Sequence, residues 1–347
     1  MKRVVVIGSG LAGSLISNEL AKDCSVTLLE AGRRERIAYP EVEFVNKDFG
    51  VVKTFCIGGG GTTNLWHNGL MALDPEDVDS GEFRDVLNEA RPYLDEAAAR
   101  LSFKNKKYSA EYDAVRSDMM RAVEGEIGFG DGVDCLLYPK KYRPLSVDSK
   151  VDALYGVSEI AFVHAKGCIE SVRYRSGGSR HSVHVDVAII SAGTLGTPAV
   201  VEKLLSDAGQ SFDRVGTGLA DHPMGFMGKI KVKKYLSGVF QGLSTLDKGD
   251  YICRTALRLK SACGKYTAGV FFRPGLTMQN KLSIYKYKSM LGASKGMERI
   301  KNAFSPKLFH PDILAEIYSH LFNVNIRSRV YNILLILEQK AGSNRVS

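Results

Sequence analysis

An α/β fold is predicted, with a parallel sheet, a β-meander beside it, and a second domain of α+β type built on an antiparallel sheet. Three observations predict it. Residues 4–7 form a β-branched run that enters the glycine-rich stretch 8–13, Leu11, Leu15, Ile16 and Leu20 recur at helical spacing, and residues 26–29 form a second apolar run. That order encodes strand, tight turn, helix, strand. Residues 157–190 break into short strands at Lys166-Gly167 and at Ser176-Gly177-Gly178-Ser179, the pattern of a meander. Beyond Gly225 the apolar period is mostly two, as in an antiparallel sheet with one wet face.

The 347 residues, 44% hydrophobic and 24% charged, suffice for two domains and exclude disordered, collagenous and coiled-coil classes. The net charge of +9 is scattered apart from short clusters such as Lys229, Lys231, Lys233 and Lys234. These lysines alternate with Ile230 and Val232 and read as a solvated strand face, not an anion-binding patch, so no nucleic-acid partner is expected. Six cysteines without C-x-x-C or histidine-paired spacing suggest neither a metal site nor a disulfide framework, and reduced thiols fit a cytoplasmic protein. Lys2 and Arg3 ahead of an apolar stretch imitate a secretory signal, but its three glycines argue against one. No segment approaches the roughly eighteen apolar residues of a membrane span, so no transmembrane segment is expected.

The remaining elements follow from period and punctuation. From Glu82, Phe83, Val86, Leu87, Ala90, Tyr93, Leu94, Ala97, Ala98 and Leu101 mark an amphipathic helix that Pro92 bends or splits, and another helix is expected over 110–124. Residues 187–191 read as a buried strand. Thr197 as N-cap, Pro198 at the first helical position and Gly209 past the end bracket a helix carrying Val200, Val201, Leu204, Leu205 and Ala208. Strands are expected at 251–260, 266–273, 282–288 and 333–337, and Pro311 opens a helix carrying Ile313, Leu314, Ile317 and Leu321.

Gly8-Ser9-Gly10-Leu11-Ala12-Gly13 matches G-x-G-x-x-G in a strand-turn-helix setting, with Glu30 at the end of the second strand. The first glycine permits the turn, the second lets backbone approach a pyrophosphate, and the third lets helix and strand pack closely. The helix N-terminus offers unpaired N–H groups, and Glu30 can accept from a ribose diol. A Rossmann-like, dinucleotide-binding domain follows, the alternative being a merely structural glycine turn. Residues 57–71, IGGGGTTNLWHNGLM, offer permissive backbone, hydroxyls, amides and one indole, which suit a flavin better than a nicotinamide. A plain glycine-rich surface loop is the alternative there.

Four blocks, in order, resemble the glucose-methanol-choline (GMC) family of FAD-dependent oxidoreductases. They are the fingerprint with Leu29-Glu30-Ala31-Gly32, Gly-Gly-Thr-Thr-Asn-Leu-Trp at 60–66, Ile-Ser-Ala-Gly-Thr-Leu-Gly-Thr-Pro at 190–198, and Val-Gly-Thr-Gly-Leu-Ala-Asp-His-Pro at 215–223. Glu338-Gln339 with Asn344-Arg345-Val346 is a looser fifth. The resemblance implies a discontinuous FAD-binding domain of residues 1–80 and 151–224, a substrate domain of 81–150 and 225–337, and a return toward the FAD domain over 338–347. It implies oxidation of an alcohol CH–OH group by hydride transfer to flavin, the electron acceptor being undefined. The form of the block at 60–66 is most like the pyranose-oxidase and glycoside-dehydrogenase branch, which points to a sugar or glycoside. Leu65 stands where that branch can carry a flavin-linking histidine, so FAD is expected to be non-covalent.

Carried over residue by residue, Gly8, Ser9, Gly10, Leu11, Ala12 and Gly13 would line the pyrophosphate. Glu30 and Ala31 would meet the adenosine ribose, Gly60, Gly61, Thr62, Thr63 and Asn64 the flavin, and Ala192 and Gly193 would end a central strand near it. The family's sequences continue into a segment with the catalytic histidine, which is not found here. His67, His164, His181, His184, His222, His310 and His320 lie outside that motif, so no catalytic residue is assigned. His164, His181 and His184 read as solvent-facing. Trp66 is as plausible in packing as against a ring. A truncated product, a split enzyme completed by a second polypeptide, or a shortened relative are the expectations this leaves, with a non-catalytic flavin-binding subunit as the rival function.

Overall fold

Three valines and an isoleucine in succession favour a pleated strand buried on both faces, and in the computed structural model Val4, Val5, Val6 and Ile7 are all buried. The structure describes residues 1–35, 55–65, 68–75, 78, 80–128, 132–141, 145–220, 222–261, 267–278, 297, 301, 306–322, 326–338 and 345–346. Along the chain run β1 (Arg3–Ile7), α1 (Leu11–Leu20), β2 (Ser25–Glu30), α2 (Gly81–Ala90), α3 (Leu94–Arg100), α4 (Tyr108–Ile127), β3 (Val133–Pro139), β4 (Asp152–Tyr155), β5 (Ser158–Ala165), β6 (Cys168–Ser176), β7 (Ser179–His184), β8 (Val187–Ile190), α5 (Gly193–Asp207), β9 (Met224–Lys231), α6 (Ser237–Ser244), β10 (Leu246–Asp247), β11 (Tyr251–Lys260), β12 (Thr267–Gly275), α7 (Pro311–Phe322) and β13 (Val330–Leu337). They divide into two units, Met1–His67 with Arg143–Ala220 and Ala341–Ser347, and Asn68–Tyr142 with Asp221–Lys340. The class is α/β, a parallel sheet accompanied by antiparallel ones.

In the first unit a parallel sheet runs β4-β2-β1-β8. Strand alternation sends Val4, Val6, Val26 and Leu28 to one face, against Ile16 and Leu20 of α1. Val5, Ile7 and Leu29 go to the other, against Phe162, Val172 and Tyr174 of the β5-β6-β7 meander. Each fully buried aliphatic side chain here contributes about 1.5–3 kcal/mol.

Two expectations are corrected. The strand at 187–191 is not buried: β8 is the edge of the described sheet, and Val187 is exposed, because burial depends on neighbours that periodicity does not report. The helix read as starting at Pro198 starts at Gly193, with Ala192 as N-cap and Pro198 inside it. Gly193, at φ +75°, turns the chain off β8 at once, so tertiary packing overrides the local cap signal. Its end is as read, Gly209 following at φ +67°.

In the second unit β10-β11-β12-β13-β9 form an antiparallel sheet, with β3 also paired to β11. One face of it buries Val133, Cys135, Leu137, Tyr251, Cys253, Val270, Phe272 and Tyr331, with α4 and α6 packed on the sheet. Pro92 splits the helix expected from Glu82 into α2 and α3 through a short 3₁₀ turn, Arg91–Tyr93. The strand expected at 282–288 lies outside the described residues, and β3, β4, α6 and β10 were not anticipated. No helix among the described residues is long and apolar enough to cross a membrane.

The lysine row is only partly a solvated face. Lys231, Lys233 and Lys234 are exposed, but the Lys229 side chain is 5% exposed and pairs with Asp312, itself 7% exposed, at the start of α7. Strand alternation cannot foresee a partner so distant in sequence.

Candidate functional site

In the first unit the glycine-rich turn between β1 and α1 is held by backbone on three sides. Gly8 donates its N–H to the Leu29 carbonyl at 2.8 Å. A Cβ on Gly8, at φ +102°, would lie 2.5 Å from the Ser191 carbonyl oxygen, and one on Gly13 would lie 1.9 Å from the Gly8 oxygen. Both positions therefore exclude a side chain. Gly10 differs: a Cβ there would meet nothing within 4 Å, so space lies open before it. Gly10 is also the N-cap of α1 and gives no side-chain cap, leaving the first N–H groups of the helix for another acceptor.

The segment around residues 58–61 packs against this turn. Gly60 donates to the Ser9 carbonyl at 3.2 Å and Gly59 to the Arg33 carbonyl at 3.1 Å. A Cβ on Gly61 would lie 3.3 Å from the Gly10 Cα. Residues Gly61–Leu65 continue as a short 3₁₀ turn, in which the Asn64 amide donates to the Gly59 and Gly61 carbonyls at 3.1 and 2.8 Å. Thr62 Oγ1 accepts from the Cys56 N–H at 3.4 Å, and Thr63 N–H donates to Gly60 at 3.2 Å.

Glu30 joins the two loops. Its Oε2 accepts from the Ser9 N–H at 2.8 Å and the Ser9 hydroxyl at 2.7 Å, and its Oε1 from the N–H groups of Gly32 and Gly58 at 2.9 and 3.1 Å. The carboxylate is buried, and its four lone-pair sites are occupied. The Ser9 hydroxyl has a second acceptor in reach, the Gly58 carbonyl at 3.4 Å. Glu30→Gln turns an amide NH₂ toward at least one backbone N–H donor, that of Ser9 if it replaces Oε2. It is expected to cost about 2–3 kcal/mol, read as a lowered urea midpoint at unchanged slope.

Of the residues picked from the sequence, Gly8, Ser9, Gly10, Gly13, Glu30, Gly60, Gly61 and Ala192 come together here, the Ala192 Cα being 2.9 Å from a Cβ built on Gly8. Leu11 and Ala12 open α1, Ala31 is exposed beyond β2, and Gly193 starts α5. Ala192 and Gly193 follow β8, the edge of the described sheet, where the resemblance implied a central strand. Trp66, His67 and Asp221 lie outside the described residues, as does the His320 side chain. His181 and His184 are exposed as read, His181 stacking on Tyr174 at 5.4 Å, whereas the half-buried His164 has an Nδ1 without solvent contact, against its reading as solvent-facing.

Sequence reasoning passed over Ser14 and Ser191. Ser14 Oγ donates to the Ser9 carbonyl at 2.9 Å and Ser191 Oγ to that of Gly8 at 3.0 Å. Ser14 directly adjoins the fingerprint and Ser191 lies inside the block at 190–198, and those places are the signal that could have found them. The fourth and fifth blocks also meet: Thr217 bridges Arg345, and Val346 N–H donates to the Gly216 carbonyl at 2.9 Å.

No protein-family model matches the chain, and no curated protein does. Among solved structures, pyridoxine 4-oxidase from Mesorbium loti is similar at TM-score 0.51 and 13% identity, over 97% of this chain and 71% of that one. The fold is like that of pyridoxine 4-oxidase. Formate oxidase is a further match at TM-score 0.41 and 12% identity, over 97% of this chain and 73% of that one.

Proposed function

We propose that the chain binds FAD non-covalently and is an oxidoreductase of the GMC type, acting on the CH–OH group of an alcohol, with sugars and glycosides the first donors to try. The observation that carries this reading is the uncapped N-terminus of α1 behind the open space at Gly10, with Glu30 at the end of the next strand. Those residues fit the group. A pyrophosphate in that space would accept N–H bonds from the first turn of α1 and gain from its dipole, worth about 0.3–1 kcal/mol per charge at an exposed end. The sequence blocks support FAD over other dinucleotides, and the likeness in fold to pyridoxine 4-oxidase supports an oxidoreductase.

Bound FAD would supply a two-electron acceptor for the carbinol hydride. The chain's own part is to hold and orient it. Rotation of the Ser9 hydroxyl onto the Gly58 carbonyl would free a lone pair of Glu30 for a ribose hydroxyl without leaving any donor unpaired. Gly60, Gly61, Thr62, Thr63 and Asn64 would present backbone and amide groups to the flavin ring. A hydroxyl losing hydride needs a base to take its proton, and no residue is assigned that role.

Full-length protein incubated with FAD and desalted is expected to retain one flavin per chain, seen in its visible spectrum. Anaerobic addition of alcohols and sugars should then bleach it. Retained colour that no donor bleaches would make the chain a flavin-binding subunit, and colourless protein would overturn the reading.

A further inference from the structure

The antiparallel sheet of the second unit carries a cationic notch that the flavin reading does not use. Ala256 of β11 and Phe271 of β12 are the last register pair toward one end of that ladder. Arg254 and Arg273 lie two residues beyond it on their respective strands, so alternation places both on that same sheet face. The β11–β12 pairing ends at this point. β3 fills one edge of β11 from Tyr251 to Leu257, and β10 pairs with Ile252 and Cys253. Since a strand has two edges, β10 and β12 must share the other, so pairing on that edge passes from β10 at Cys253 to β12 at Ala256, and the two arginines lie at this break in the ladder. Asn332, buried opposite Arg273 on β13, adds a polar group to the same face.

Neighbouring carboxylates are already engaged. Asp134 binds Arg258, Asp247 binds Lys140 at 2.7 Å, and Asp312 binds Lys229. The Arg254 guanidinium lies 5.0 Å over the Tyr138 ring. Arg273 Nε is buried from solvent with no hydrogen-bond partner, and no carboxylate among the described residues pairs with its guanidinium. A buried guanidinium N–H without an acceptor is penalised. An oxyanion relieves it, because the planar fork of arginine matches two oxygens at once.

From this we infer that the notch is a binding site for a small oxyanion, the carboxylate or phosphate group of an acidic ligand, with Arg273 as its principal donor and Arg254 beside it. The site is independent of flavin, and its test is separate. Full-length protein is titrated at low salt with inorganic phosphate and, in parallel, with acetate, by calorimetry and by ¹H–¹⁵N spectra of the arginine Nε groups. Saturable binding is expected, with a shift of the Arg273 Nε–H resonance. Arg273→Gln should weaken it about tenfold or more, and Arg180→Gln, an exposed arginine on β7, should leave it unchanged. The tighter anion identifies the acidic group. Phosphate bound instead at the glycine turn would respond to Gly10→Ala and not to Arg273→Gln, which overturns the proposal, as does the absence of saturation with either anion. Should Arg273→Gln fail to fold, the Nε resonance in the unmodified protein decides.

Discussion

Gly10→Ala should leave the melting temperature nearly unchanged while lowering FAD affinity at least tenfold, whereas Gly13→Ala should lose both stability and flavin. The two glycines lie three residues apart and differ in what a methyl would meet. At Gly10 nothing stands within 4 Å, and its φ of −62° is one that any residue adopts. The added methyl would therefore occupy only the space in which a pyrophosphate must approach the helix N-terminus. A tenfold loss is about 1.4 kcal/mol, modest for displacing phosphates from several N–H donors. At Gly13 the methyl would lie 1.9 Å from the Gly8 oxygen and 2.6 Å from Ser191 Oγ. Neither can retreat, because the Gly8 carbonyl already accepts from Ser191 Oγ and the Gly8 N–H is bound to Leu29. Helix α1 would have to lift off β1, at the 1–3 kcal/mol of overpacking or more. Calorimetric melting and flavin retention on desalting separate the outcomes. Unaltered FAD binding by Gly10→Ala would remove the phosphate from this turn.

Asp312→Ala is expected to destabilise the second unit by about 3–5 kcal/mol, because it leaves the buried Lys229 ammonium without its counter-ion. The loss goes beyond one pair. Asp312 Oδ1 also accepts from the Leu276 and Thr277 N–H groups at 2.5 and 3.1 Å, and Oδ2 from the Thr277 hydroxyl at 3.1 Å. Asp312→Asn keeps one carbonyl acceptor and should cost less than Asp312→Ala. The effect should depend on pH in one direction. Burial pushes the Asp312 carboxyl up, but Lys229 and the two backbone N–H groups outweigh it and hold the pKa below the ordinary 3.8. A carboxyl depressed in the folded state stabilises it fully above the unfolded value and ceases to do so as the pH falls through the folded one. The stability gap between the native protein and Asp312→Ala should therefore be widest near neutrality and narrow below about pH 4. A gap that stays constant from pH 7 to the acid transition would contradict this account of Asp312.

The first βαβ unit was legible because each of its signals is local. Three valines and an isoleucine, glycines at 8, 10 and 13, helical spacing from Leu11 and an acid ending the second run are all contained within thirty residues. The joining of those glycines to the segment at 58–61 through Glu30 was not legible, since it rests on hydrogen bonds across 28 residues. Nor was β4, a four-residue strand whose place beside β2 is set by pairing. The helix from Gly193 was misread at its start because Thr197-Pro198 is a sound local cap signal overruled by the turn off β8. Arg254 and Arg258 could have been assigned to one strand face from their spacing alone, but not the register that ends the β11–β12 pairing at Ala256 and Phe271.

Read without coordinates, the chain specifies its α/β class, the glycine-rich turn and the acid that follows it, because backbone propensity and short-range spacing suffice for those. Folding decides which charges are buried and which are paired. Lys229 looks like one more surface lysine until a carboxylate 83 residues away closes on it, and Arg273 looks like any strand arginine until its neighbours prove to be engaged elsewhere. Electrostatic partners are chosen by distance in space, and a linear pattern carries little of that distance.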